Sequence, residues 1–125
     1  MIFDTDVLIW VQRGNENASK VLESVDRRFI SAVTFMELLQ NAQNKKQQTV
    51  IKEFLHEQEF IILPISENIS HRALIYIEEY SLSHGITFPD ALIAATSNEL
   101  CEPLLSGNYK HYKAINDLDF HTFKP

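Results

Sequence analysis

The sequence predicts a single α/β domain with a mainly parallel sheet of four or five strands, covered by helices on both faces. Short apolar runs alternate with segments whose apolar residues recur at helical spacing, the pattern of strand–helix–strand crossovers. A length of 125 residues accommodates one compact domain. An apolar share of 45% with 22% charged residues suits a soluble chain with a real core. Neither internal repeat nor low-complexity linker divides the chain.

Taken in order, MIFDT reads as the first strand, and Asp6 is placed to cap a helix over residues 7–13 that Gly14 and Asn15 end. Residues 17–26 carry Val21, Leu22 and Val25 at helical spacing. FISA at 29–32 is the second strand, followed by a helix from about Val33 to Gln43. Another helix over 46–58 buries Val50, Ile51, Phe54 and Leu55. IILP at 61–64 is the third strand, stopped by Pro64. Ser66 caps the longest helix, 67–83, with Ile69, Ala73, Ile77 and Tyr80 on one face and Gly85 as its stop. Thr87 precedes a helix with Pro89 just inside its start, a favoured place for proline, running to Leu100. PLLS at 103–106 is the fourth strand, and the tail DFHTF offers a short edge strand.

Charge and composition exclude several function classes. No apolar run approaches the ~18–20 residues that span a bilayer. The start places acids in its apolar run and no basic residue before it, unlike a secretory signal. Cys101 is alone, so no internal disulfide forms and a reducing cytoplasm is the expected compartment. The five histidines lack zinc-ligand spacing. A net charge of −6 argues against binding nucleic acid by bulk electrostatics, but not against a nuclease whose negative charge sits at a metal site. Lys45-Lys46 reads as solvated surface. Lys110-His111-Tyr112-Lys113 does so too, except that Lys110 and His111 follow Asn108 closely enough to reach a bound phosphate.

The chemistry-bearing residues fall where strands give way to helices. In an open α/β sheet those points share one edge, where ligands bind. Asp4 closes the first strand behind buried residues, and a carboxylate there must find a cation or donors. Asp6 beside it reads equally well as a helix cap. Glu37 sits among Phe35, Met36, Leu38 and Leu39, and on a helix Thr34, Glu37, Asn41 and Asn44 form one polar stripe. Asp90 lies in the first turn of its helix, where the macrodipole favours an anion; that is a structural reason in itself, and it also suits a rigidly held ligand. Ala91, Ala94 and Ala95 keep that helix slim. Ser106-Gly107-Asn108 supplies a hydroxyl, a flexible joint and a neutral oxygen donor, and alone would be an ordinary turn. Hard oxygen ligands without a Cys or His framework suit Mg²⁺ or Mn²⁺.

With these residues in this order, the chain resembles the PIN-domain family, and within it the VapC-like toxins of type II toxin–antitoxin systems. The resemblance runs from FDTDVLIWVQRG through FISAVTFMELLQNAQNKK and ISHRALIYIEEYSLSHGITFPDALIAAT to LLSGNYKHY. It implies a three-layer α/β/α fold and a Mg²⁺- or Mn²⁺-dependent endoribonuclease. It implies that Asp4, Glu37 and Asp90 match the acidic metal-site positions, with Asp6, Thr34 and Ser106 in support. The family's fourth acidic position falls at or near Asn108, a carboxamide here, which leaves the number of tightly held ions open. Partners implied are RNA, a cognate antitoxin and a second copy, with Trp10 as an apolar candidate for the dimer contact.

Two other readings compete. Asp4-Thr5-Asp6-Val7 matches the first motif of haloacid-dehalogenase-type phosphatases, but the late Gly-Asp pair of that fold is replaced by Gly107-Asn108, with no acid before Asp117. A PIN-like module that has lost catalysis and works only through partners is kept open by Asn108.

Overall fold

The computed structural model describes residues 1–125, and its elements follow the predicted alternation. They are β1 (Ile2–Phe3), α1 (Thr5–Gln12), α2 (Glu16–Ser24), β2 (Phe29–Ser31), α3 (Ala32–Asn41), α4 (Lys45–Glu57), β3 (Ile61–Leu63), α5 (Glu67–His84), α6 (Phe88–Leu100), β4 (Leu104–Ser106), α7 (Tyr109–Tyr112) and β5 (Phe120–Thr122). The five strands form one sheet in the order β3-β2-β1-β4-β5, every pair parallel.

Alternation along the short strands builds two cores. Ile2, Phe29 and Leu104 point to one face, where they meet Ile69, Ala73 and Tyr76 of α5 and Ala91, Ala94 and Ala95 of α6. Phe3, Ile30 and Leu105 point to the other, against Val7 and Leu8 of α1, Leu38 of α3, and Ile51 and Leu55 of α4. This is a three-layer α/β/α arrangement. The small Ala side chains on α6 are completely buried, as expected of a slim helix packed close to its neighbours. Fully burying an aliphatic side chain contributes roughly 1.5–3 kcal/mol, so the middle of the sheet is rigid. β1 lies at its centre, and its carboxyl end delivers Asp4 into that rigid frame.

Several local expectations are corrected. Asp4, rather than Asp6, is the N-cap of α1, its carboxylate accepting the Thr5 N–H at 2.8 Å. The strand is only two residues long, so the helix begins sooner and Asp6 falls within its first turn. Asn15 does not merely end α1; it caps α2 by accepting the Ala18 N–H at 2.9 Å. The polar stripe on α3 stops at Asn41, because the helix ends there and Asn44 caps α4 through the Gln47 N–H. α7 had no counterpart in the sequence reading. Trp10 is partly buried against the second core, with the Arg13 guanidinium 5.7 Å from its ring centre. Ser66 and Gly85 cap α5 as predicted, the latter in the left-handed region at φ 69°. No helix is long and apolar enough to cross a membrane.

Candidate metal centre

Five elements meet at the carboxyl edge of the sheet around Asp4. Its side chain is only 5% exposed. Oδ1 accepts the Thr5 N–H, while Oδ2 accepts the Ser106 hydroxyl at 2.6 Å and the Tyr112 hydroxyl at 3.1 Å. Burial, reinforced by the charges of Asp6 and Asp90, pushes the Asp4 carboxyl up from 3.8 to about 7, against the pull of its hydrogen bonds. Asp6, in the first turn of α1, faces the turn that follows β4. Its Oδ2 accepts the Gly107 N–H at 2.9 Å, and burial raises its pKa as well. Its Oδ1 is buried with no partner at all.

Asp90 arrives from the first turn of α6. Its Oδ2 lies 2.7 Å from His111 Nδ1 and accepts the Thr87 hydroxyl at 3.1 Å; its Oδ1 faces the Tyr112 hydroxyl at 3.3 Å. One phenol therefore stands between Asp4 and Asp90. Tyr112 is 1% exposed, and burial together with the two carboxylates raises its pKa well above 10, so it remains a hydroxyl.

Glu37 approaches from α3 on the far side of Thr5. Its Oε1 accepts the Thr5 hydroxyl at 2.7 Å, and that hydroxyl also lies 3.2 Å from Thr34 Oγ1. The chain thus links Asp4 to Asp90 through the Tyr112 hydroxyl, sets Asp6 near enough to feel their charge, and ties Glu37 and Thr34 to Asp4 through Thr5. Ser106 holds Asp4 and accepts the Asn108 N–H at 3.0 Å. Asn108 Nδ2 lies 2.8 Å from His111 Nδ1, so its side chain reaches the acids only by way of the imidazole. His111 turns inward to Asp90, whereas Lys110 is exposed.

Tyr112, Thr5 and Thr87 escaped the sequence reading. Thr5 lies between two acids, Asp4 and Asp6, and carries no charge to mark it. Tyr112 was submerged in a segment read as basic, although Tyr112 and Ile115 have the i, i+3 spacing of a short buried helix.

As the side chains stand, no three His, Cys, Asp or Glu groups are gathered closely enough to hold an ion together. The donor set nevertheless fits a hard divalent cation. Burial and the neighbouring carboxylates raise the pKa values of Asp4 and Asp6, and a buried Asp6 oxygen has no donor; a cation would answer both.

Comparison with known proteins identifies the fold. The family model of the PIN domain matches residues 1–116. The chain is 29% identical to one in a toxin–antitoxin complex from Klebsiella pneumoniae, covering 94% of this chain and 93% of that one at a TM-score of 0.79. It is 25% identical to a chain of FitAcB from Neisseria gonorrhoeae, covering 97% and 96% with a TM-score of 0.75. A chain of VapBC2 from Rickettsia felis, bound to a promoter DNA fragment, shares the fold at 20% identity and a TM-score of 0.81, covering 99% and 100%. No curated protein sequence matches the chain significantly.

Proposed function

The chain belongs to the PIN-domain family, and from that premise we propose that it is a Mg²⁺- or Mn²⁺-dependent endoribonuclease, the toxin half of a toxin–antitoxin pair. The observation that carries this reading is the Asp4–Tyr112–Asp90 bridge at the carboxyl edge of the sheet, with the unpartnered Asp6 oxygen beside it. Family membership removes the ground for the phosphatase reading. The toxin–antitoxin complex from Klebsiella pneumoniae that holds a similar chain supports an antitoxin as partner.

Asp4, Asp90 and Asp6 would hold the ion, with Glu37 as a further carboxylate. When bound, a divalent ion offers Lewis acidity to a phosphate oxygen and lowers the pKa of water. The remaining work falls to the chain itself. Ser106 and Tyr112 fix the Asp4 carboxylate, and the Thr5 hydroxyl aims Glu37 toward the same edge. Lys110, exposed just beyond Asn108, offers a cation to the phosphate backbone. In-line hydrolysis by water needs no 2′-OH nucleophile and leaves 5′-phosphate and 3′-OH ends. Selectivity for RNA then rests on shape and on unpaired bases.

The test is cleavage of single-stranded RNA by the purified chain with added Mn²⁺ or Mg²⁺. We expect EDTA, Asp4→Asn and Asp90→Asn each to abolish it, and Asn108→Ala to weaken it less, since that side chain reaches the acids only indirectly. Full activity in chelator or in either aspartate variant overturns the proposal. One observation favours a second reading, a binding module without catalysis: Asn108 stands at or near the position of the family's fourth acid, and His111, which contacts it, already occupies an Asp90 oxygen. Absence of cleavage by the wild type at any divalent ion would select it.

A further inference from the structure

Asp90 is unusual among the acids in having donors on both oxygens from a single short element. His111 and Tyr112 are consecutive residues of α7, yet His111 Nδ1 lies 2.7 Å from Oδ2 and the Tyr112 hydroxyl 3.3 Å from Oδ1. A carboxylate gripped at both oxygens cannot turn about its Cβ–Cγ bond. We propose that α7 is a clamp that orients the Asp90 carboxylate for a divalent cation, with His111 and Tyr112 as positioning residues. This rests on the metal-site reading above and extends it to residues outside the acid set.

A four-residue helix cannot hold such a geometry alone. Here it is anchored at several points. The Tyr112 ring packs 5.6 Å from Phe120 and, with Ile115, belongs to the core under α5 and α6. The Asn108 N–H is tied to Ser106 Oγ, itself bonded to Asp4, so the entry to α7 and the Asp4 carboxylate share one hydroxyl. Tyr112 has a single proton to offer, placed between Asp4 Oδ2 and Asp90 Oδ1, and this sets the spacing of the two carboxylates.

The role of His111 follows from its partners. Its Nδ1 meets a carboxylate on one side and the Asn108 carboxamide on the other. A proton on Nδ1 donates to Asp90, and Asn108 then presents its carbonyl oxygen to the same N–H, an amide orientation consistent with the contact. Hydrogen-bond partners of this kind around a ligating side chain typically account for about 10–100-fold in metal affinity.

The experiment measures Mn²⁺ binding to the full chain without RNA, from the free Mn²⁺ resonance, alongside the unfolding midpoint in chelator. Wild type is expected to bind Mn²⁺ and Asp90→Asn to lose it. His111→Ala should weaken binding ~10-fold or more at an unchanged midpoint. His111→Asn, whose amide nitrogen sits close to the position of Nδ1, should restore most of it. Tyr112→Phe should weaken binding beyond any change in its midpoint; should it fail to fold, the His111 pair decides alone. If wild type and Asp90→Asn behave alike, the metal reading falls and the clamp with it. If Asp90→Asn loses the ion while His111→Ala binds as wild type does, the clamp is wrong and the metal reading stands. Tighter binding by His111→Ala would also overturn it, by making the imidazole an obstacle the ion must displace.

Discussion

At the scale of single residues, Asp4 is where sequence and environment conflict most. Its importance was legible, because a carboxylate ending a central apolar strand has nowhere to shed its charge. Its local role was not, since a two-residue strand and a four-residue strand look alike until the sheet is formed. Its elevated pKa has a measurable consequence. In the folded chain without divalent ions the carboxyl titrates near 7, against 3.8 for an ordinary aspartate. Between those values the folded state holds a proton that the unfolded state has released. The contribution of Asp4 to stability is therefore full below about pH 4, falls as pH rises towards 7, and levels off above, at about 1.4 kcal/mol per unit of displacement. Asp4→Asn removes the charge and keeps the shape, and both hydroxyls facing it can reverse to accept. In EDTA, unfolding free energy of wild type minus that of Asp4→Asn should decline between pH 4 and 7, with the variant more stable at pH 8. A difference that is flat or rises with pH contradicts this.

Among elements, the long helices and their caps were readable because periodicity and capping chemistry are local; Ser66, Gly85 and Pro89 all stand where the pattern put them. The short pieces were not. α7 has one turn, too short for a single i, i+3 apolar pair to stand out, and its two middle residues, Lys110 and His111, draw the segment towards a surface reading. The turn before it was read as ordinary, yet it is constrained by a partner 101 residues away: a Cβ on Gly107 would lie 2.7 Å from Asp6 Oδ2, the atom its own N–H bonds. Gly107→Ala must push the Asp6 carboxylate aside and leave that N–H without its acceptor, at a cost of about 1–3 kcal/mol. Urea unfolding should show this loss in an otherwise native background. In an Asp6→Ala background the added cost should shrink, since the obstructing group is gone. Equal costs in both backgrounds would place the strain elsewhere, for instance at the Phe123 carbonyl 3.4 Å away.

For the whole molecule, the class of fold was legible but the strand order was not: a parallel sheet fixes which strand ends share an edge, whereas β1 at the centre follows from long-range pairing. That pairing gathers carboxylates at one edge of a chain already at −6, which suits a basic partner. The antitoxin of the proposed function needs apolar purchase as well, because surface charge pairs contribute little affinity. Ile9 and Val11 of α1, Leu38 of α3, and Val50, Ile51 and Phe54 of α4 line an open groove of about 920 Å³, and Val50, expected from its spacing to be buried, is instead 54% exposed there. An apolar segment of the antitoxin laid in this groove would supply the affinity, while an Arg or Lys following it pairs with the acids and blocks them. Val50→Arg changes only the groove surface. It should weaken antitoxin binding in calorimetry by about tenfold or more and leave RNA cleavage by the free chain unchanged. Replacing the antitoxin's basic residues should do the reverse, largely sparing affinity while releasing nuclease activity. If Val50→Arg binds like wild type, the groove is not the seat. If neutralising the basic residues leaves inhibition complete, the block is steric, and the charge of the acid cluster plays no part in it.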